Sequence, residues 1–139
     1  MTKAAETAKA IRKELKAKFP NIKFSVRSES FSMGNAVNVK YTDGVPREEV
    51  EKVLYKYEYG KFNSMEDMYE MDNVREDIPQ VKYVTVSREI SDKIKEETKY
   101  EIAEQYGMDN PEDQQEWMEK FGMWPEQKVW TVLQNKSFA

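Results

Sequence analysis

The chain has 139 residues, 39% of them apolar and 35% charged, with a formal net charge of −4. This length favours a single domain that spans residues 1–139, and the charged fraction favours a densely ionic surface. It contains no cysteine and no histidine, so disulfides, thiolate nucleophiles, cysteine-based metal sites, zinc hydrolases with histidine ligands and Ser-His-Asp hydrolases are excluded. These absences favour binding over catalysis. Without disulfides or an apolar N-terminal run, we expect a cytoplasmic protein that does not span a membrane.

The N-terminal third predicts a helix followed by a β-hairpin. Apolar residues recur every three or four positions over 2–19, and Pro20 ends that pattern. Apolar and polar residues then alternate over 23–31 and again over 36–42, on either side of a turn-like stretch at 32–35. We expect one face of this hairpin to pack on helices and the other to face water.

The middle of the chain predicts a second helix, an irregular segment and a strand. Pro46, with acidic residues behind it, begins the helix, and Gly60 ends it. Residues 61–79 are rich in acidic residues and methionine, and we interpret them as an ordered loop that can include one helical turn. Residues 81–87 have high β-propensity and apolar residues on both faces, which predicts a central strand.

The C-terminal part predicts further helices. Ser91 can cap a third helix that ends at Gly107, and Asn110 with Pro111 begins a fourth. Residues 124–135 fit either a helix or a strand. The sequence therefore predicts an α+β fold, with a small mostly antiparallel sheet (a hairpin plus a later central strand) packed against helices and a helical C-terminal part.

Positive charge is concentrated near the N-terminus. Residues 1–40 have nine basic and three acidic residues, a balance of +6, whereas the remaining 13 basic and 23 acidic residues give −10. Basic side chains on one helix face and on the open hairpin face can bind phosphates, although a solvated helix face is the simpler alternative. The hairpin face also lacks the aromatic pair that sheet-based RNA binders stack on bases. The candidate nucleic-acid-binding residues are Lys9, Arg12, Lys13, Lys16, Arg27 and Lys40.

The acidic loop and the C-terminal aromatic residues are candidates for protein binding. Methionine supplies adaptable apolar contact, and exposed tryptophan often anchors protein interfaces. In the alternative, the methionines and tryptophans fill the core, or the loop carboxylates hold Mg²⁺ or Ca²⁺, although there is no EF-hand pattern. We predict no metal site and no cofactor. The candidate protein-binding residues are Glu66, Asp67, Glu70, Asp72, Trp117 and Trp124.

A family resemblance covers residues 9–91, with 92–139 as a helical extension outside it. The resemblance rests on the segments Ile11 to Leu15, Phe19-Pro20, Lys23 to Arg27, Thr42-Asp43-Gly44, Tyr59 to Phe62, Val81 to Val84 and Ser87-Arg88-Glu89. Together they resemble the large polyvalent protein associated domain family, type 29. The resemblance implies a phage or mobile-element origin in a bacterial host and no catalytic residues. The acidic segment 63–77 departs from the family pattern.

Three functions remain open from the sequence. As a small phage protein, the chain is similar in style to inhibitors of host defence such as anti-CRISPR proteins, which implies a host defence complex as the partner. A module that binds RNA or single strands is the second hypothesis, and a carboxylate-based, metal-dependent enzyme is the third. The target and the oligomeric state are left open.

Overall fold

The computed structural model of the chain describes residues 2–63, 65 and 68–138. The chain divides into two compact units between Glu89 and Ile90. Residue 91, the predicted end of the family-like core, lies beside that division. None of the described helices is both long and apolar enough to cross a membrane.

The first unit begins with the predicted helix and hairpin. Helix α1 (Lys3–Lys18) begins after Thr2, whose side-chain oxygen accepts a hydrogen bond from the Ala5 amide at 3.1 Å. Strands β1 (Ser25–Phe31) and β2 (Gly34–Thr42) pair antiparallel around a two-residue loop. The predictions of an N-terminal helix and of this hairpin are confirmed.

The rest of the first unit adds a helix, a second hairpin and a parallel strand. Helix α2 (Arg47–Leu54) continues into a 3-10 turn at Tyr55–Tyr57. The segment expected to be an irregular loop contains a short antiparallel pair, β3 (Lys61–Asn63) and β4 (Met68–Glu70). Strand β5 (Tyr83–Glu89) then pairs with β2 in parallel.

The prediction that the later strand is central is wrong, because the sheet order is β1-β2-β5 and β2 is the central strand. The apolar residues that suggested burial of this strand on both faces are explained by other contacts. Val81 is fully buried but precedes β5, and its amide bonds the Tyr57 carbonyl at 2.9 Å. Beyond it, the Glu58 carboxylate accepts a hydrogen bond from the Val84 amide at 2.8 Å and so covers part of the outer edge of β5.

One face of the sheet packs on α1 and forms the core of the first unit. Ile11 and Leu15 of α1 share this core with Val26 of β1 and with Val37 and Val39 of β2. Each fully buried side chain of this size stabilises the fold by about 1.5–3 kcal/mol. The other face of the sheet, which we call the open face, carries none of these core residues.

The second unit is helical, with α3 (Asp92–Gln105), α4 (Gln114–Phe121) and α5 (Pro125–Leu133). Residues 124–135, which fitted helix or strand, form α5, where Pro125 takes the first helical position. The Gln127 side chain accepts a hydrogen bond from the Trp124 amide at 3.3 Å and completes this start. With these helices, the predicted α+β fold, the mostly antiparallel strand pairing and the helical C-terminal part are confirmed.

Candidate nucleic-acid interface

The open face of the sheet is built by alternate residues of three strands. Because the pairing places Arg27 opposite Asn38, and Asn38 opposite Thr85, these side chains share one face. The same alternation places the aromatic side chains of Phe31 and Tyr83 at one end of this face and the basic side chains toward the other end. The residues that form the face are Ser25, Arg27, Glu29, Phe31, Gly34, Ala36, Asn38, Lys40, Thr42, Tyr83, Thr85, Ser87 and Glu89.

An aromatic pair lies at one end of the open face. The hairpin was expected to lack such a pair and contributes only Phe31, while β5 contributes Tyr83. The rings of Phe31 and Tyr83 are nearly parallel, with an interplanar angle of 17° and centroids 6.4 Å apart. Phe31 is 43% exposed, so its ring is accessible to a ligand. The ring packs closely over Gly34, where a Cβ would lie 3.2 Å from Phe31 Cε2 and 2.7 Å from Lys82 Cδ. An exposed aromatic ring beside a sheet can stack on a nucleobase.

A second layer of aromatic rings supports Tyr83. The Tyr69 ring meets Tyr83 edge-on with centroids 5.8 Å apart, and the Tyr69 hydroxyl donates to the Lys82 carbonyl at 2.9 Å. The Lys82 ammonium lies 4.9 Å from the Tyr69 ring centroid and donates to the Met33 carbonyl at 3.1 Å. Burial raises the pKa of Tyr69 to about 12, so its hydroxyl stays protonated and remains a donor at neutral pH. Tyr69 and Lys82 therefore support this end of the face from below.

The basic side chains lie at the other end of the open face. Arg27 and Lys40 line a shallow depression of about 480 Å³, together with polar side chains. Two hydrogen bonds order those neighbours, because Thr85 donates to the Asn38 side-chain oxygen at 2.6 Å and Asn38 donates to the Glu29 carboxylate at 2.9 Å. Four residues along an extended strand span about 13 Å, which separates Arg27 from Phe31. A short extended strand of nucleotides can therefore contact a cation and an aromatic ring together.

The predicted helix residues do not join this face. Lys9, Lys13 and Lys16 are exposed, but α1 packs on the opposite side of the sheet, so the structure separates them from Arg27 and Lys40. Arg12 has a different contact, because its guanidinium donates to the Val26 carbonyl at 2.6 Å on the outer edge of β1. The structure therefore brings together two of the six predicted nucleic-acid-binding residues.

The predicted protein-binding residues lie in different parts of the chain and do not form one site. Glu66 and Asp67 lie outside the described residues, whereas Glu70 and Asp72 belong to the first unit. Nearby methionines are exposed, with Met71 at 63%.

In the second unit, the assignment of Trp117 to a contact surface is corrected. Its side chain is fully buried in the core of the helices and donates to the Pro111 carbonyl at 2.8 Å. Trp124 is 43% exposed, as is Trp130 at 45%, which lines a groove of about 360 Å³ with Val129 and Leu133.

Two glutamates of the first unit, Glu14 and Glu58, have structural partners. Glu14 accepts hydrogen bonds from the Tyr57 hydroxyl at 2.6 Å and from the Lys56 ammonium at 2.9 Å. Burial acts to raise the pKa of Glu14, but these bonds outweigh it and hold the pKa below its usual value. Burial also raises the pKa of Glu58, which accepts from the Val84 amide. Among the described residues, no group of three or more carboxylates has the arrangement of a metal site.

The signal for the aromatic pair was present in the sequence but needed the strand register. Phe31 follows Arg27 by four residues, so alternation alone places both on one face of β1. Tyr83 joins them only because β5 pairs with β2 in the parallel register that sets Tyr83 opposite Ala36. No local pattern specifies that long-range pairing.

Comparison with known proteins identifies a domain family. No curated protein and no solved structure matches the chain significantly. Residues 2–101 match the domain family described as large polyvalent protein associated domain 29. The match covers nearly all of the first unit and most of α3. This match extends the resemblance at 9–91 in both directions, and its domain type associates the chain with phages. The chain therefore belongs to the large polyvalent protein associated domain 29 family.

Proposed function

We propose that this phage-associated chain acts by binding macromolecules and that the open face of its sheet binds single-stranded nucleic acid. The observation that carries the proposal is the shared face itself, where the exposed Phe31 and the half-buried Tyr83 stacked beside it lie on the same side as Arg27 and Lys40. Basic groups that follow the backbone, together with aromatic rings that stack on bases, are the common solution for single strands. The absence of histidine and cysteine favours binding over catalysis.

Single strands fit this face better than a duplex does. Stacking on an aromatic ring needs an unpaired base with a free ring surface, which a base pair inside a helix does not offer. The cations on this face are few, and Glu29 lies beside them, so binding by charge alone would be weak. We therefore expect affinity to depend on both the rings and the cations.

The test is fluorescence anisotropy with labelled single-stranded RNA, single-stranded DNA and duplex DNA over a range of salt concentrations. Replacing Arg27 and Lys40 by Gln should reduce the slope of log affinity against log salt by about 0.7 for each cation. Replacing Phe31 or Tyr83 by Leu should weaken single-strand binding by about 1–3 kcal/mol and leave the salt slope unchanged.

A matched control uses the basic face of α1. Replacing Lys13 and Lys16 by Gln removes two positive charges on the other side of the sheet and should change the affinity little. If the α1 variant loses binding and the Arg27/Lys40 variant keeps it, the interface lies on the helix and the assignment to the sheet is refuted. If the wild-type chain binds none of the three probes, the proposed function itself is refuted.

A second candidate function is inhibition of a host defence complex through the acidic segment, as in anti-CRISPR proteins. The observation that favours it is the exposure of methionines beside acidic residues, because Met71 is 63% exposed between Glu70 and Asp72. A surface of this kind suits a basic protein groove.

The test of the second function is a plaque assay against a bacterium whose CRISPR system targets the infecting phage. Expression of the chain should restore plaques, and reversal of Glu70 and Asp72 to Lys should abolish the effect. Reversal of Glu48 and Glu49 at the start of α2 is the charge-matched control. Failure of the wild-type chain to restore plaques against the targeted phage would count against this function.

A further inference from the structure

Strand β1 is an open edge of the sheet. The two-residue loop makes Phe31 and Gly34 a hydrogen-bonded pair, so the odd-numbered residues of β1 bond β2. The carbonyl of Val26 therefore faces away from β2, where Arg12 donates to it. Backbone groups of alternate residues face the same way, so those of Ser28 and Ser30 also face outward. Within the described part of the chain, no donor or acceptor bonds the backbone groups of Ser28 and Ser30. Unpaired edge groups of this kind are a template for another strand.

The side chains of β1 decide which strand can pair there. All of them except Val26 are exposed. Arg27 and Glu29 lie on the open face with opposite charges, two positions apart, and Ser28 lies between them. A copy of the same strand that pairs antiparallel about Ser28 would place Arg27 opposite Glu29 of the partner subunit. The two-fold axis would repeat that pair on the other side of Ser28.

Backbone geometry agrees with this register. An axis at Ser28 makes the two Ser28 residues a hydrogen-bonded pair and sets Val26 opposite the partner's Ser30, all with outward-facing groups. Arg27 and the partner's Glu29 then form a non-hydrogen-bonded pair, in which Cα atoms are about 4.5 Å apart and side chains are closest. A carbonyl oxygen has two lone pairs, so the Arg12 bond to Val26 does not exclude the new one.

Neighbouring registers are disfavoured by the same charges. An axis at Arg27 would place two arginines directly opposite each other, and an axis at Glu29 would place two glutamates opposite each other. Like charges at directly opposed positions destabilise a strand pair. The charge pattern of β1 therefore selects one register of self-pairing and opposes the two beside it.

We propose that the chain forms a symmetric dimer through antiparallel pairing of β1 with β1 of a second copy, centred on Ser28. The pairing joins two sheets into one with a continuous open face. The inference does not depend on nucleic-acid binding, since it is tested without nucleic acid.

The experiment is sedimentation velocity from about 1 µM to about 1 mM, which covers the range of weak to moderate dimers. The wild-type chain should dimerise. Arg27→Glu and Glu29→Arg should each weaken dimerisation at least about tenfold, because each replaces two attractive pairs by two repulsive ones. The double variant R27E/E29R should regain the wild-type affinity.

A mixture of the two single variants provides the decisive control. Combining Arg27→Glu chains with Glu29→Arg chains restores opposite charges at both positions, so the mixture should form heterodimers although neither variant forms homodimers. This rescue also shows that both variants are folded. A wild-type chain that stays monomeric overturns the proposal. So does a dimer that ignores the single reversals, or a mixture that stays monomeric when both single variants do.

Discussion

Glu14 joins α1 to the 3-10 turn that follows α2, and the change Tyr57→Phe tests that connection. Tyr57 is buried, and its hydroxyl donates to the Glu14 carboxylate at 2.6 Å, while Lys56 bonds the same carboxylate. A hydrogen bond to a charged group stabilises a fold by about 1.5–3 kcal/mol. Because the Glu14 side chain is 17% exposed, water can replace part of the lost bond, and the lower end of that range applies.

We therefore expect Tyr57→Phe to lower the free energy of unfolding by about 1.5 kcal/mol. For a unit of this size, that change lowers the melting temperature by about 6 °C or more. Urea denaturation followed by circular dichroism measures the change, and the dependence of the unfolding free energy on urea should stay constant. A double-mutant cycle with Glu14→Gln isolates the pair, with an expected coupling of about 1 kcal/mol.

The effect should also depend on pH. The pKa of Glu14 is lowered in the folded state, so its contribution to stability is fully present above the unfolded pKa, about 4.3. That contribution is lost as the pH falls through the folded pKa, because the protonated carboxyl no longer favours the two donors. The difference between the wild type and Tyr57→Phe should shrink over that interval. If the two changes are additive within about 0.3–0.5 kcal/mol at neutral pH, the reasoning about this connection is refuted.

Three further changes test other parts of the fold. Trp117→Ala should lower the unfolding free energy by about 3–5 kcal/mol, because it empties a fully buried site in the helical unit; a loss below about 1 kcal/mol in urea denaturation would contradict that packing. Gly60→Ala should destabilise the first unit and reduce its melting temperature, because its Cβ would overlap the Glu70 carbonyl oxygen, and unchanged melting would show that β4 lies elsewhere. Tyr41 should stay protonated up to about pH 11, since burial raises its pKa to about 12, and ultraviolet titration against Tyr41→Phe would expose an earlier ionisation.

Local signals in the sequence were sufficient for the first hairpin, for both ends of α1 and for the existence of α2, α3 and α4. Thr2 and Pro20 bracket α1, and alternation over β1 and β2 identified both strands, because caps and strand periodicity depend only on neighbouring residues. Residues 124–135 were ambiguous, because the alternation of Val129 and Leu133 with polar residues fits a strand as well as a helix. In the structure these residues form a helix that begins at Pro125.

Only part of the candidate site could be predicted from the sequence. Arg27 and Lys40 were identified from charge and alternation. The contribution of Tyr83 was missed because it depends on a parallel pairing between strands far apart in the sequence. The burial of Trp117 was one of two alternatives that the sequence offered, since a tryptophan on a short helix can belong to the core or anchor an interface.

The parallel pairing of β2 with β5 has a consequence for the order of folding. The hairpin of β1 and β2 closes over a two-residue loop, whereas β5 begins about forty residues after β2 ends. We therefore expect the basic end of the open face to form early and the Phe31–Tyr83 pair to form only when β5 docks. Until then, one edge of β2 is exposed to other chains as the protein emerges from the ribosome. Stacking of the Phe31 and Tyr83 rings therefore indicates that the fold is complete.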